Sequence, residues 1–127
     1  MDADAALADL TGIAAWIESA AIVAPDGAPL AATGPRGDAL TREVAGLIET
    51  AARVRPARTV AELEVALPTG SVHVVRSEVA TIAVVTLRGA VSALVLYDLK
   101  ATLRSLAPAK PKRRRTTTKK KAADAEA

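Results

Sequence analysis

SAAIVAPDGAPLAAT, residues 19–33, sets two short apolar runs on either side of Pro25-Asp26-Gly27-Ala28. Apolar runs of about four to eight residues bounded by turn chemistry read as buried strands. Ile17 to Ala24 is therefore expected as one strand and Pro29 to Thr33 as the next. Gly27 tolerates a positive φ and Asp26 bonds readily to nearby backbone, so the chain can reverse between them as a hairpin.

Upstream, Leu7, Leu10 and Ile13 recur at helical spacing in an Ala-rich segment that opens with acids. Acids there suit the positive end of a helix dipole, which predicts a short helix over residues 3–14. Downstream, Gly34-Pro35-Arg36-Gly37 breaks the chain and Asp38 offers an N-cap for a second helix that ends before Pro56. Leu40, Val44, Leu47, Ile48, Ala51 and Val54 share one stripe of that helix, and Arg42, Glu43, Glu49 and Arg53 take the opposite face.

From Thr59 the period changes to two. Leu63, Val65 and Leu67 alternate with Glu62 and Glu64, as in a half-exposed strand, before Pro68-Thr69-Gly70 turns the chain. Ser71 to Arg76 and Thr81 to Leu87 follow as β-branched strands separated by Ser77-Glu78. From Gly89, the residues Val91, Leu94, Val95, Leu99, Thr102, Leu103 and Leu106 fall on a helical stripe, although Val91 to Tyr97 alone also fits a strand. The order is helix-strand-strand-helix-strand-strand-strand-helix. This is an α+β pattern whose natural packing is a five-stranded antiparallel sheet between helices.

At 127 residues the chain has room for one domain, since domains run to about 100–200 residues. It is 50% hydrophobic, but 30 of those residues are Ala, with no Phe, one Trp and one Tyr. A core this thin makes further burial through self-association favourable. The absence of cysteine excludes disulfides, thiolate metal sites and Cys nucleophiles, and favours a reducing cytoplasm. MDADAALADL carries acids where a secretory leader is basic, which points away from export. The most apolar charge-free stretch of the folded part, Gly89 to Tyr97, is far short of the roughly 20 residues a membrane span needs.

The net charge of +3 hides an asymmetry: residues 1–107 balance at −3, and residues 108–127 at +6. Five of the six lysines lie beyond Ala107. We therefore expect a folded domain over 1–107 and a polybasic tail over 108–127, which lacks apolar periodicity and is expected to be disordered in isolation. Its cations, Lys110, Lys112, Arg113, Arg114, Arg115, Lys119, Lys120 and Lys121, suit a polyanion. Nucleic acid, an anionic membrane leaflet, an acidic protein surface and simple solubility all remain open as their use. Phosphorylation at Thr116, Thr117 or Thr118 would cancel much of that charge.

No residue set supports catalysis. His73 is the single histidine, without the neighbouring acids or cysteines of a metal site or the spacing of a Ser-His-Asp arrangement, and it is assigned a structural or surface role. Gly34-Pro35-Arg36-Gly37 lacks the Lys-Ser/Thr of a Walker motif and is read as a linker. A guanidinium from Arg36, Arg42 or Arg53 could serve as an arginine finger on developing phosphoryl charge, but all three are assigned to solvated surface. Trp16 is read as a packing residue. No cofactor and no metal is expected.

ALADLTGI (6–13), the hairpin above, LTREVAGLIETAARV (40–54), AELEVALPTGSVHVV (61–75), TIAVVTL (81–87) and VSALVLYDLKATLRSL (91–106) together resemble the roadblock/dynein light chain family over about residues 5–107. The chain departs from the family's usual Gly-Val-Xaa-Gly ahead of the first strand, where Thr11-Gly12-Ile13-Ala14-Ala15-Trp16 stands. The resemblance implies a sheet sandwiched by helices, like that of profilin and longin domains. It also implies a homodimer in which second helices pack together and third strands pair into one continuous sheet. Val44, Leu47, Ile48, Ala51, Leu63 and Val65 are the corresponding interface candidates, with Ala45, Gly46, Ala51 and Ala52 small enough for close helix approach. Similar bacterial modules partner small Ras-like GTPases, so a non-catalytic GTPase regulator or scaffold is expected, with Arg42, Glu43, Glu49 and Arg53 as partner-binding candidates. The alternative is a nucleic-acid-associated dimer acting through its tail.

Overall fold

The computed structural model describes residues 1–54 and 61–106. The expected start of the third strand at Thr59, the boundary near Pro108 and the whole polybasic tail lie outside the described residues. The elements are α1 (Ala3–Ile13), β1 (Ile17–Val23), β2 (Pro29–Thr33), α2 (Gly37–Val54), β3 (Glu62–Leu67), β4 (Gly70–Arg76), β5 (Thr81–Leu87) and α3 (Ser92–Ser105). Their order is the one the hydrophobic periods predict.

All strands pair antiparallel in one sheet of order β2-β1-β5-β4-β3, so β2 and β3 are the edges. The β1–β2 hairpin closes as its turn chemistry requires. Gly27 takes φ +94°, its N–H donates to the Ala24 carbonyl at 2.8 Å, and Asp26 Oδ1 accepts from the Ala28 N–H at 3.0 Å.

Strand alternation sends side chains to two cores. Ala20, Ile22, Ala31, Val75, Ile82 and Val84 meet Leu7 and Leu10 of α1 and Val95, Leu99 and Leu103 of α3. Ala21, Val23, Val74 and Ala83 meet Leu40 and Val44 of α2. The sheet is thus a filling between one helix and two, an α+β sandwich. Trp16 is half-buried against the first core, and its carbonyl accepts from the Leu87 N–H at 2.8 Å.

Three local expectations change. Asp38 does not cap α2; it lies inside the first turn, because the helical ladder already begins with the Leu40 N–H donating to the Arg36 carbonyl at 3.0 Å. The carboxylate there still suits the helix dipole. The ambiguous Val91 to Tyr97 stretch is helix from Ser92, but its stripe splits: Val95 and Leu99 are fully buried whereas Val91 and Leu94 are 58% and 60% exposed. Val91 is the cap position and Leu94 stands one residue step, about 100°, off Val95. At the end of α2, Val54 is 81% exposed instead of completing the buried stripe, because the helix buries only its first turns.

Despite the departure in sequence before β1, α1 ends cleanly at Ile13, with the Ala14 N–H donating to the Leu10 carbonyl. At its other end Asp2 accepts from the Ala5 N–H at 2.8 Å, an N-cap.

Candidate interaction surface

The side chains singled out for partner contact lie on α2 and β3. The helix packs on β1 and β2 and reaches β5, and its core extends to Val74 of β4, so among the described residues it leaves β3, at the edge of that sheet face, largely uncovered. On that face Leu63 is half-buried, while Val65, Leu67 and, at the end of β5, Leu87 are 37%, 51% and 49% exposed. Between helix and edge strand runs a groove of about 480 Å³ lined by Glu43, Gly46, Leu47, Thr50, Ala51, Leu63 and Val65.

This groove gathers four of the six interface candidates: Leu47, Ala51, Leu63 and Val65. Ile48, half-buried, lines a second groove on the hairpin side of α2 with Val23, Ala45 and Glu49. Val44 is only 2% exposed; it belongs to the core beneath α2 and barely reaches the wall of that second groove. Gly46 opens the floor, since a Cβ placed there would meet nothing within 4 Å.

The partner-binding candidates Arg42, Glu43, Glu49 and Arg53 are all exposed. Arg53 and Glu49 approach to 3.8 Å one helical turn apart, too open to solvent to fix either side chain. Glu43 alone of the four sits on the groove. The candidate polyanion residues Lys110 to Lys121 fall outside the described residues.

β3 is tied down on its other face. Glu64 accepts from the Ser92 hydroxyl at 2.7 Å, and Glu62 pairs with Lys100, so both acids clasp α3. Beside this clasp a cavity of about 650 Å³ lies between the strand ends and α3, lined among others by Glu62, Val75, Arg76, Lys100, Leu103 and Arg104. His73 stands opposite Glu64 in the ladder, 1% exposed, with its Nδ1 buried and unpartnered among the described residues. Burial lowers its pKa below the ordinary 6.5, and the facing Glu64 carboxylate opposes that shift. A neutral imidazole walled in by the sheet and α3 has no access to a substrate, which fits a structural role.

Arg36 is exposed, as expected of a surface charge, but it is also anchored. It pairs with Glu18, and its N–H donates to Ser19 Oγ at 2.9 Å, pinning the β2–α2 loop to β1. The partners are 17 and 18 residues apart, and no local pattern in the sequence announces them. The same holds for Glu64 and Ser92, 28 residues apart. Among the described residues no group of three or more acids or histidines is placed to hold a metal, and no helix is long and apolar enough to cross a membrane.

No family model and no curated protein sequence matches the chain. Solved structures do. A Roadblock/LC7 domain from Streptomyces avermitilis superposes with a TM-score of 0.68 at 22% identity, over 83% of this chain and 94% of that one. The gliding protein MglB from Thermus thermophilus gives 0.66 at 19% identity, over 81% and 84% of the two chains. MglB from Myxococcus xanthus gives 0.58 at 13% identity, over 78% and 77%. The chain has the roadblock/LC7 fold.

Proposed function

We propose that this protein is a non-catalytic homodimeric module that binds and regulates a small Ras-like GTPase. The observation that carries the reading is the bare apolar strip made by the C-terminal half of α2 and the edge strand β3. An edge strand whose outward backbone has no partner among the described residues and whose face carries Leu63, Val65 and Leu67 is a template for another strand. A second copy supplies one by two-fold symmetry, β3 against β3, and brings α2 of each protomer over the apolar sheet edge of the other. Such a dimer offsets the thin core of the protomer, and Gly46 and Ala51 give the helices room to approach.

The GTPase follows from the sequence resemblance together with a fold shared with MglB, and fold alone does not select it. The exposed Arg42, Glu43, Glu49 and Arg53 provide the charged contact surface on α2. On this reading the chain acts on the GTPase by repositioning the GTPase's own residues. The test is to mix the pure protein with the small Ras-like GTPase encoded nearest its own gene, loaded with GDP or a non-hydrolysable GTP analogue. Co-sedimentation with one nucleotide state, and a changed hydrolysis or exchange rate, are expected. Absence of binding in both states would refute the reading.

A second reading rests on the eight cations between Lys110 and Lys121: the tail binds polyanions, and dimerisation makes that contact bivalent. Deleting residues 108–127 separates the two, since it removes nucleic-acid association and leaves GTPase binding intact.

A further inference from the structure

Among the described residues His73 is the one buried ionisable group that the proposed interface does not use, and its surroundings are asymmetric. Val74 of β4 meets α2 on one face of the sheet; on the other, which carries His73, β4 is flanked by β5 and β3 and packed by α3. β5 carries no charge and places Val84 opposite the imidazole. β3 places Glu64 opposite it. The other charged or titratable groups of these elements are Glu62 on β3, Tyr97, Asp98, Lys100 and Arg104 on α3, and Arg76 at the end of β4 itself, with Glu62 and Lys100 engaged with each other. Glu64 is therefore the carboxylate that faces the ring across the ladder, and it already accepts a hydrogen bond from Ser92 at 2.7 Å. Ser92 is the first residue of α3, a helix whose cap residue Val91 has no side chain able to satisfy the opening turn.

We propose that His73, Glu64 and Ser92 form a proton-sensitive latch between the edge strand β3 and the first turn of α3, held while the imidazole is neutral and released when it is protonated. An imidazolium at this position has hydrocarbon on the β5 side and one carboxylate on the β3 side. It is relieved either by drawing Glu64 away from Ser92 or by opening the strand to water, and both loosen the same edge. Neither route breaks a covalent bond; the proton comes from solvent and returns to it. On the dimer reading above, on which this consequence rests, release also weakens self-association, because the loosened strand is the one that pairs with its copy.

The sign follows from burial. The opened chain takes up the proton at the ordinary 6.5, the closed chain only at lower pH, so the closed state is fully favoured above about 6.5 and loses ground as pH falls below it. At pH 5.5 the open form gains up to about tenfold in relative population, the limit set by an opened imidazole that is one unit above the solution pH.

Three measurements on the full-length chain decide it. Hydrogen exchange of the Leu63–Leu67 amides, corrected for intrinsic rate, is compared at pH 7.5 and 5.5; exchange in β3 should rise several-fold at the lower pH, and His73→Leu should abolish the rise. Glu64→Gln, which keeps an acceptor for Ser92 but removes the charge that favours imidazolium, should enlarge it. Proton NMR titration of the wild-type ring should place its midpoint below 6.5; a midpoint at or above 6.5 overturns the latch even if His73→Leu fails to fold. Exchange that is independent of pH, or a rise that persists in His73→Leu, overturns it as well. Sedimentation at pH 7.5 is read separately: a monomer there refutes the dimer reading, and the exchange data still decide the latch.

Discussion

The backbone N–H of Arg36 donates to the hydroxyl of Ser19, a residue with no exposed surface, and this bond fixes where α2 begins. The loop reaches β1 because Gly34, at φ +86°, lets the chain pass so close that a Cβ would collide with the Glu18 carbonyl and the Ser19 side chain. Gly34→Ala is therefore expected to destabilise the protein by at least ~2 kcal/mol, combining left-handed strain with a backbone clash that cannot be relieved by a rotamer change. Ser19→Ala should cost about 1–3 kcal/mol by leaving a part-buried N–H unpaired. Thermal and urea unfolding measure both, and a Gly34→Ala protein as stable as wild type would contradict the geometry.

Gly46 gives the opposite expectation. It lies in mid-helix on α2, where a Cβ meets nothing within 4 Å, so Gly46→Ala should stabilise the isolated protomer by about 0.5–1 kcal/mol through the unfolded chain. If α2 packs closely on its copy, the same groove floor tolerates little added bulk, and Gly46→Leu should weaken self-association while leaving the protomer folded. Concentration-dependent sedimentation of the two variants separates these effects.

Most of this architecture is legible in the sequence because it depends on short-range periods. The alternation of Leu63, Val65 and Leu67 with Glu62 and Glu64 marks a two-faced strand, and Asp26-Gly27 marks the turn between β1 and β2, in both cases without any long-range information. What could not be read is which face meets what. Glu62 and Glu64 look like solvent-facing residues, yet they hold α3 through Lys100 and Ser92, a pairing that exists only once the chain has folded back. The apolar stripe of α2 likewise gives the same pattern whether a residue enters the core, as Val44 does, or lines an open groove, as Leu47 does. Periodicity reports that a face is apolar; the tertiary arrangement decides what covers it.

Leu47 is accordingly the position that tests the interface. Leu47→Glu places a carboxylate at the groove between α2 and β3, where a second copy would bury it unpaired. The expected outcome is a folded monomer at tens of micromolar, an order-of-magnitude choice for an interface of moderate affinity. Leu94→Asp is the control: Leu94 is equally apolar and 60% exposed, but it lies on α3 across the sheet from the groove. It should leave the dimer unchanged. A wild-type protein that sediments as one chain, or a Leu94→Asp protein that dissociates as readily as Leu47→Glu, would place self-association elsewhere.

The polybasic segment makes the final prediction, and salt is its discriminating variable. Cations spread from Lys110 to Lys121 with no aromatic side chain among them have no means of stacking on bases, so any binding to duplex DNA should be independent of sequence. It should arise from counterion release, with log affinity falling against log salt by about 0.9 for each phosphate neutralised. Arg113→Ala, Arg114→Ala and Arg115→Ala together should flatten that slope by roughly 2–3. The same triple change should leave the thermal midpoint within about a degree, on the expectation from composition that a segment without apolar periodicity adds little to the stability of the fold. Association that survives deletion of residues 108–127, or that ignores a change from roughly 50 to 300 mM salt, where counterion release is large, would assign the contact to the folded domain instead.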